Sequence, residues 1–114
     1  IMLFAKKSVA PQKDPRLTAL EDARWDARAS LETAVKKVII KQGVIDLYPN
    51  GPDKDAAQKE AEAAKHSLLC CIGAYDARVQ ELNDYVKKHN LGRAIPPTSH
   101  TIIEEAYEKF YKKA

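Results

Sequence analysis

Glu62, His66 and Cys70 recur at four-residue intervals, a spacing at which helical side chains share one face. A carboxylate, an imidazole and a thiolate on one face could hold a transition metal if a neighbouring helix supplied further ligands. The preceding periodic segment, residues 14–42, contains neither histidine nor cysteine. We therefore predict no metal site, and no sequence motif indicates a cofactor.

The two cysteines, Cys70 and Cys71, are adjacent in the sequence. Adjacent helical residues point about 100° apart, which suits neither a zinc site nor a disulfide bond. We interpret both as small side chains that fill space in a reducing compartment, and the expected location is cytoplasmic.

Glu81 and Asp84 resemble the Glu-x-x-Asp pair that holds magnesium in all-helical nucleotide pyrophosphohydrolases. That resemblance implies a second acidic pair on a neighbouring helix, and the acids at positions 21, 22 and 26 match its spacing poorly. We interpret Glu81 and Asp84 as part of a solvated acidic face.

Arg93 and His100 resemble the arginine and histidine signature of helical HEPN ribonucleases. The resemblance implies that the histidine acts on a ribose hydroxyl while the arginine holds the phosphate. Two prolines, Pro96 and Pro97, separate the pair here. We interpret Arg93 as a linker residue and His100 as a residue near a helix start. A helical hydrolase or ribonuclease is kept as a third hypothesis, which would require Arg93 and His100, or Glu81 and Asp84, to be essential.

Apolar residues recur every three or four positions over two long segments, about 14–42 and 54–90, and over a shorter one, about 101–113. This period predicts amphipathic helices. The turn-rich connector 43–53 predicts that the long helices pair. The predicted fold is all-α: a long antiparallel helical hairpin, with a short third helix docked across its open end. In size and form it is similar to the WXG100 family of secreted hairpins, but the connector lacks that family's Trp-x-Gly, and we assign no family.

Apolar side chains at helical spacing define a predicted seam on each long helix. The seam of the first helix contains Leu17, Leu20, Ala23, Ala27, Leu31, Ala34, Val35, Val38 and Ile39; that of the second contains Ala57, Ala61, Ala64, Leu68, Cys71, Ile72, Tyr75, Val79, Leu82 and Val86. The predicted boundaries are a start at Asp14-Pro15, a stop at Gly43, capping boxes at Asp55 with Gln58 and at Thr101 with Glu104, and a stop at Asn90 or Gly92.

Residues 38–48 also allow a second interpretation. Two runs rich in β-branched residues flank Lys41-Gln42-Gly43, a spacing that suits a β-hairpin. An isolated two-stranded hairpin is marginal in water, and the rest of the chain offers no strand to extend it. We predict helix here.

The formal net charge is +3, but the charge is unevenly distributed. Residues 1–13 contain three lysines and no acid, the connector 43–53 has a charge of −2, and residues 87–114 have a charge of +3. The open end of the hairpin is thus predicted to be basic and the turn end acidic. We interpret residues 1–13 as a flexible basic arm and 14–114 as one helical domain. No apolar run approaches the ~20 residues that cross a bilayer, so no membrane association is expected.

A lone hairpin with one apolar stripe on each helix leaves much apolar surface in water. We therefore expect self-association or a protein partner to complete a helical bundle, and we predict a non-catalytic interaction or structural module. The predicted partner-binding residues are Trp25, Ile40, Ile45, Leu69, Tyr107 and Phe110.

The alternative is a small nucleic-acid-binding protein. Basic residues from both chain ends could converge at the open end of the hairpin and hold phosphates. The residues of this alternative are Lys6, Lys7, Lys87, Lys88, Arg93, Lys112 and Lys113.

Overall fold

The computed structural model describes residues 14–113, and this range is helical with no strand. The helices are α1 (Pro15–Ile45), α2 (Pro52–Lys88) and α3 (Ser99–Lys113). The predicted all-α class and the order of two long helices and one short helix are confirmed. The predicted arm, with Lys6 and Lys7, lies outside the described residues.

α1 begins as predicted. The Asp14 side chain accepts hydrogen bonds from the backbone N–H groups of Arg16 at 3.0 Å and Leu17 at 3.2 Å, and Pro15 occupies the first helical position. This arrangement satisfies donors that have no partner within the helix, and proline loses nothing there because its missing N–H would be unpaired.

The predicted stop at Gly43 was wrong, because α1 continues through it to Ile45. Val44 and Ile45 are half-buried, and Ile45 lies beside Ala61 of α2. Burial of these side chains offsets the roughly 1 kcal/mol that glycine costs inside a helix. The same helical continuation excludes the β-hairpin interpretation of residues 38–48.

α2 begins at Pro52, so the predicted capping box at Asp55 was also wrong. Gly51 is the N-cap, with a φ of 150° that favours glycine, and Asp55 lies inside the first turn. The C-terminal end of α2 matches the prediction. Asn90 is left-handed, and the N–H of Leu91 donates to the Val86 carbonyl at 2.9 Å, which completes a Schellman motif.

The long helices are antiparallel. Tyr85 bonds to Asp14 at the open end, and Lys41 Nζ lies 2.7 Å from Glu60 Oε1 near the turn. The predicted seams are largely confirmed. The buried apolar residues of the long helices are Leu17, Leu20, Leu31, Ala34, Val35, Val38, Ala57, Ala61, Ala64, Tyr75 and Leu82.

α3 does not cross the open end, which corrects the prediction. Arg28 lies 3.7 Å from Glu105, and the Lys36 ammonium lies 5.6 Å from the centre of the Phe110 ring, so α3 runs parallel to α1 along its middle. Its first turn is capped by Thr98, whose hydroxyl accepts from the N–H of Thr101 at 3.2 Å, instead of by Thr101. The physical cause of this path is Ile102, which is fully buried.

Ile102 packs with Leu31 and Tyr75 in one buried cluster, while Leu17, Leu20 and Leu82 form another nearer the open end. The Tyr75 hydroxyl donates to the Pro97 carbonyl at 2.6 Å. Linker 89–98 therefore turns back from the open end and runs up the side of the hairpin.

Tyr85 and Asp14 close the open end, where the Tyr85 hydroxyl donates to Asp14 Oδ2 at 2.5 Å. This hydrogen bond is the main cause of a lowered pKa of Asp14 and of a raised pKa of Tyr85. The carboxylate form of Asp14 is thus favoured by folding, and its contribution to stability is present above the ordinary pKa of 3.8 and lost as the pH falls through the folded value.

Replacement of Tyr85 by phenylalanine should lower the Tm at neutral pH, because Asp14 loses its hydroxyl partner. The Tm difference from the parent should shrink below pH 3.8, where the advantage of the carboxylate form disappears. Thermal unfolding followed by circular dichroism over a pH series measures this difference. A difference that stays constant down to pH 2 would contradict the assignment.

Candidate binding site at the open end of the hairpin

A cavity of about 760 Å³ lies where linker 89–98 runs back along the hairpin. We call it the open-end pocket. Its walls are formed by Glu21, Arg24, Trp25 and Arg28 of α1, by Leu82, Asn83, Val86 and Lys87 of α2, and by residues 93–97 of the linker. Pockets of this volume are large enough for a small ligand or a few inserted side chains.

Arg24 is the unusual residue of this pocket. It lies four positions after Leu20 and seven before Leu31, so the helix turns it toward the buried seam. The residue is only 8% exposed, and its Nε and Nη1 atoms are buried without a hydrogen-bond partner among the described residues. Each buried donor left unpaired costs about 1–3 kcal/mol.

Trp25 covers the Arg24 guanidinium, whose Cζ atom lies 4.5 Å from the centre of the ring. A cation–π contact contributes about 0.5–2 kcal/mol. Two unpaired donors cost more than this, at about 1–3 kcal/mol each. The Trp25 ring is 54% exposed, so packing does not hold it firmly in place. A ligand that offers Arg24 a hydrogen-bond acceptor is therefore expected to displace the ring.

The other charges of the pocket are partly balanced. Arg93 Nη1 lies 2.7 Å from Glu21 Oε2, and Arg28 lies 3.7 Å from the carboxylate of Glu105. Lys87 is exposed and lies in no ion pair within residues 14–113. Arg24 and Lys87 thus give the pocket a positive charge without a matching acid.

The remaining walls are mostly apolar. Leu82, Val86, Pro96 and Pro97 line the interior, and Ile95 stands at the rim with 82% of its surface exposed. A ligand with an oxyanion joined to an apolar body matches this combination. Its carboxylate can accept charge-assisted hydrogen bonds from a guanidinium. Its apolar body removes the apolar walls of the pocket from contact with water.

Arg24 was not among the site residues predicted from the sequence. The positions 17, 20, 24, 27, 31, 34 and 38 follow one another at alternating three- and four-residue steps, and arginine is the charged residue in this series. A charged residue at a seam position is the signal that could have identified it, since charges are almost never fully buried unless they are paired.

The predicted partner-binding residues do not form one stripe. Ile40 and Leu69 are exposed, but Ile40 lies about 180° around α1 from buried Leu31, and Leu69 lies about 120° around α2 from buried Tyr75. The side chains of Ile45, Tyr107 and Phe110 are half-buried. Trp25 is the member of the set that lines the open-end pocket.

The described members of the predicted basic set do not converge either, and Lys6 and Lys7 lie outside the described residues. Lys87, Lys88 and Arg93 lie at or near the open end, but α3 carries Lys112 and Lys113 away from it, beyond the level of Lys36. Leu17 and Lys36 are nineteen positions apart on α1, a distance of roughly 28 Å along the helix.

Several of the acidic residues first considered for chemistry have local partners. Glu62 pairs with Lys65, Glu81 pairs with Arg78, and Asp84 accepts a hydrogen bond from Gln80. Arg93 contacts α1 while His100 pairs with Glu104 on the surface of α3. In the described part of the chain, no group of three or more histidine, cysteine, aspartate or glutamate side chains is placed to hold a metal ion.

Comparison of the chain with protein-family models, with curated proteins and with solved structures found no match. Among residues 14–113, no helix combines the length and the apolar character needed to cross a bilayer.

Proposed function

We propose that this protein is a non-catalytic interaction module that binds a protein partner through the open-end pocket. The supporting observation is Arg24, a buried cation whose Nε and Nη1 atoms have no hydrogen-bond partner in the described chain and which lines an apolar cavity. A partner segment with a carboxylate beside a large apolar side chain would supply the missing acceptor and cover Trp25 and Ile95.

The magnitudes favour binding. Hydrogen bonds to charged groups contribute about 1.5–3 kcal/mol each, so bonds to both Nε and Nη1 together exceed the single cation–π contact of Arg24 with Trp25. Covering the exposed faces of Trp25 and Ile95 adds roughly 25 cal/mol for each Å² of apolar surface removed from water. Aromatic side chains and arginine are also the residues that most often dominate binding energy at protein interfaces.

The structure gives nucleic-acid binding less support. Among the described residues, Lys87 and Lys88 lie at the end of α2 and Lys112 and Lys113 lie at the end of α3, and Arg93 is already paired with Glu21. Phosphate binding along a backbone needs several cations in one track. Nucleic-acid binding by Lys87 and Lys88 at the open end stays a prediction.

The proposal can be tested by selecting binders from a library of random heptapeptides on the immobilised protein. Selected sequences should combine aspartate or glutamate with leucine, phenylalanine, tyrosine or tryptophan. They should bind an Arg24→Met variant at least tenfold more weakly, because this variant lacks the guanidinium that donates hydrogen bonds to the carboxylate of the peptide. An Arg78→Met variant is the matched control, since it removes an arginine that lies outside the pocket.

Trp25 provides the second measurement, because it is the single tryptophan of the sequence and lies in the pocket. Its fluorescence should change saturably as a selected peptide is added. If the library yields no acidic sequence that distinguishes the parent from Arg24→Met, the proposed function is overturned.

A further inference from the structure

We infer that the occupant of the open-end pocket is the turn of a second copy of this chain, which inserts Asp46 and Leu47; this inference rests on the proposed function. The turn 46–51 joins α1 to α2 at the opposite end of the hairpin. It presents a carboxylate beside a large apolar side chain, which is the combination that the pocket fits.

The turn holds Leu47 in solvent. The N–H of Leu47 donates to the Val44 carbonyl at 3.1 Å, and the N–H of Tyr48 donates to the Ile45 carbonyl at 3.3 Å. These backbone bonds define the turn without using the Leu47 side chain, which is 78% exposed. Covering a leucine that is exposed to this degree at the tip of a hairpin is favourable, because apolar surface is removed from water.

The charges of the two ends are complementary. The connector 43–53 contains Asp46 and Asp53 and no basic residue. The exposed Asp46 carboxylate lies in no ion pair within the described range, and Arg24 and Lys87 lie in none at the other end. Opposite charges on two apolar surfaces both speed their encounter and select the correct orientation.

Two copies are required by geometry. Arg24 and Asp46 are 22 positions apart along α1, so the turn lies roughly 33 Å from the pocket of its own chain. A turn can therefore reach only the pocket of another copy. Two chains side by side and antiparallel satisfy both contacts in a closed pair, whereas end-to-end contact gives a growing chain.

Two variants with complementary defects test this contact. Arg24→Met removes the receiving group of the pocket and keeps the turn. The double variant Asp46→Asn with Leu47→Ser removes the inserted side chains and keeps the pocket. Both changed turn residues are exposed, and circular dichroism and the Tm should show that both proteins remain folded.

Sedimentation velocity over a range of concentrations supplies the readout. The parent should associate, and rising salt should weaken this association. Each variant alone should be monomeric up to at least tenfold higher concentration. A mixture of the two should form a one-to-one complex and nothing larger, since only one productive contact exists between them.

The matched control for the turn variant is Asp76→Asn with Leu69→Ser, which makes the same chemical changes at exposed positions in the middle of α2. This control should associate like the parent. If the turn variant associates as well as the parent, or the control loses association instead, the inferred contact is overturned.

The two proposals fail in different ways. A parent that stays monomeric but binds acidic, apolar peptides in the Trp25 fluorescence titration overturns the second-copy occupant and leaves the interaction module in place. A monomeric parent that also yields no such peptide overturns both.

Discussion

Replacement of Tyr75 by alanine should destabilise the protein by about 3–5 kcal/mol, the range measured when a large buried aromatic side chain is removed. Tyr75 is fully buried and packs with Leu31 and Ile102, so one side chain joins α1, α2 and α3. A domain of this size is stable by only about 5–15 kcal/mol, so the variant should be largely unfolded on modest heating. Urea unfolding followed by circular dichroism measures the loss.

Tyr75→Phe is the matched control for this prediction, because it keeps the ring and removes the hydroxyl. The Pro97 carbonyl then loses the hydrogen bond of 2.6 Å, and we expect a smaller cost of about 1–2 kcal/mol. Limited proteolysis should also cut linker 89–98 of this variant sooner, since the linker has lost one attachment to the hairpin. A Tyr75→Ala variant within about 1 kcal/mol of the parent would show that this cluster does not hold the three helices together.

Replacement of Arg24 by methionine should have opposite effects on stability and on binding. The variant removes a buried cation with two unpaired donors and leaves a flexible apolar side chain on the seam. We expect a gain of about 2 kcal/mol, after allowing for the lost contact with Trp25. For a domain of about 100 residues this corresponds to a rise in Tm of roughly 10 °C.

The same variant should lose binding at the open-end pocket, because the group that receives the carboxylate is gone. Differential scanning calorimetry gives the Tm, and Trp25 fluorescence gives the affinity for a selected peptide. Arg78→Met should change neither, since its side chain forms a surface pair with Glu81 at 3.1 Å. A less stable Arg24→Met variant would mean that the guanidinium has partners in solution and is a structural residue.

These opposite signs have a physical basis. The unpaired donors of Arg24 raise the free energy of the free protein. This cost is offset only when a partner supplies a hydrogen-bond acceptor. The open-end pocket has this character because Arg24 lies between the Leu17, Leu20 and Leu82 cluster and the cluster that contains Tyr75, where an apolar residue would pack more favourably.

Much of the hairpin could be predicted from the sequence. The seam residues of α1 and α2 recur with the helical period, and this period is set by local geometry that each segment carries by itself. Asp14-Pro15 and Asn90 were also correctly identified as helix ends, because capping depends on a few neighbouring residues. Gly43 was wrongly predicted as a stop because Val44 and Ile45 gain burial against α2, a contact that no local rule contains.

The three helices and the seams that join the long pair follow from residue spacing along the chain, because the helical period is a local property. The path of α3 along α1 could not be predicted in this way, because it depends on contacts of Ile102 and Pro97 with Tyr75, which lies 22 or more positions away in the sequence. The open-end pocket follows from that path. Because α3 lies along α1, linker 89–98 runs back along the hairpin and forms a wall of the pocket beside Arg24 and Trp25. Such long-range packing cannot be predicted from the spacing of residues within one helix.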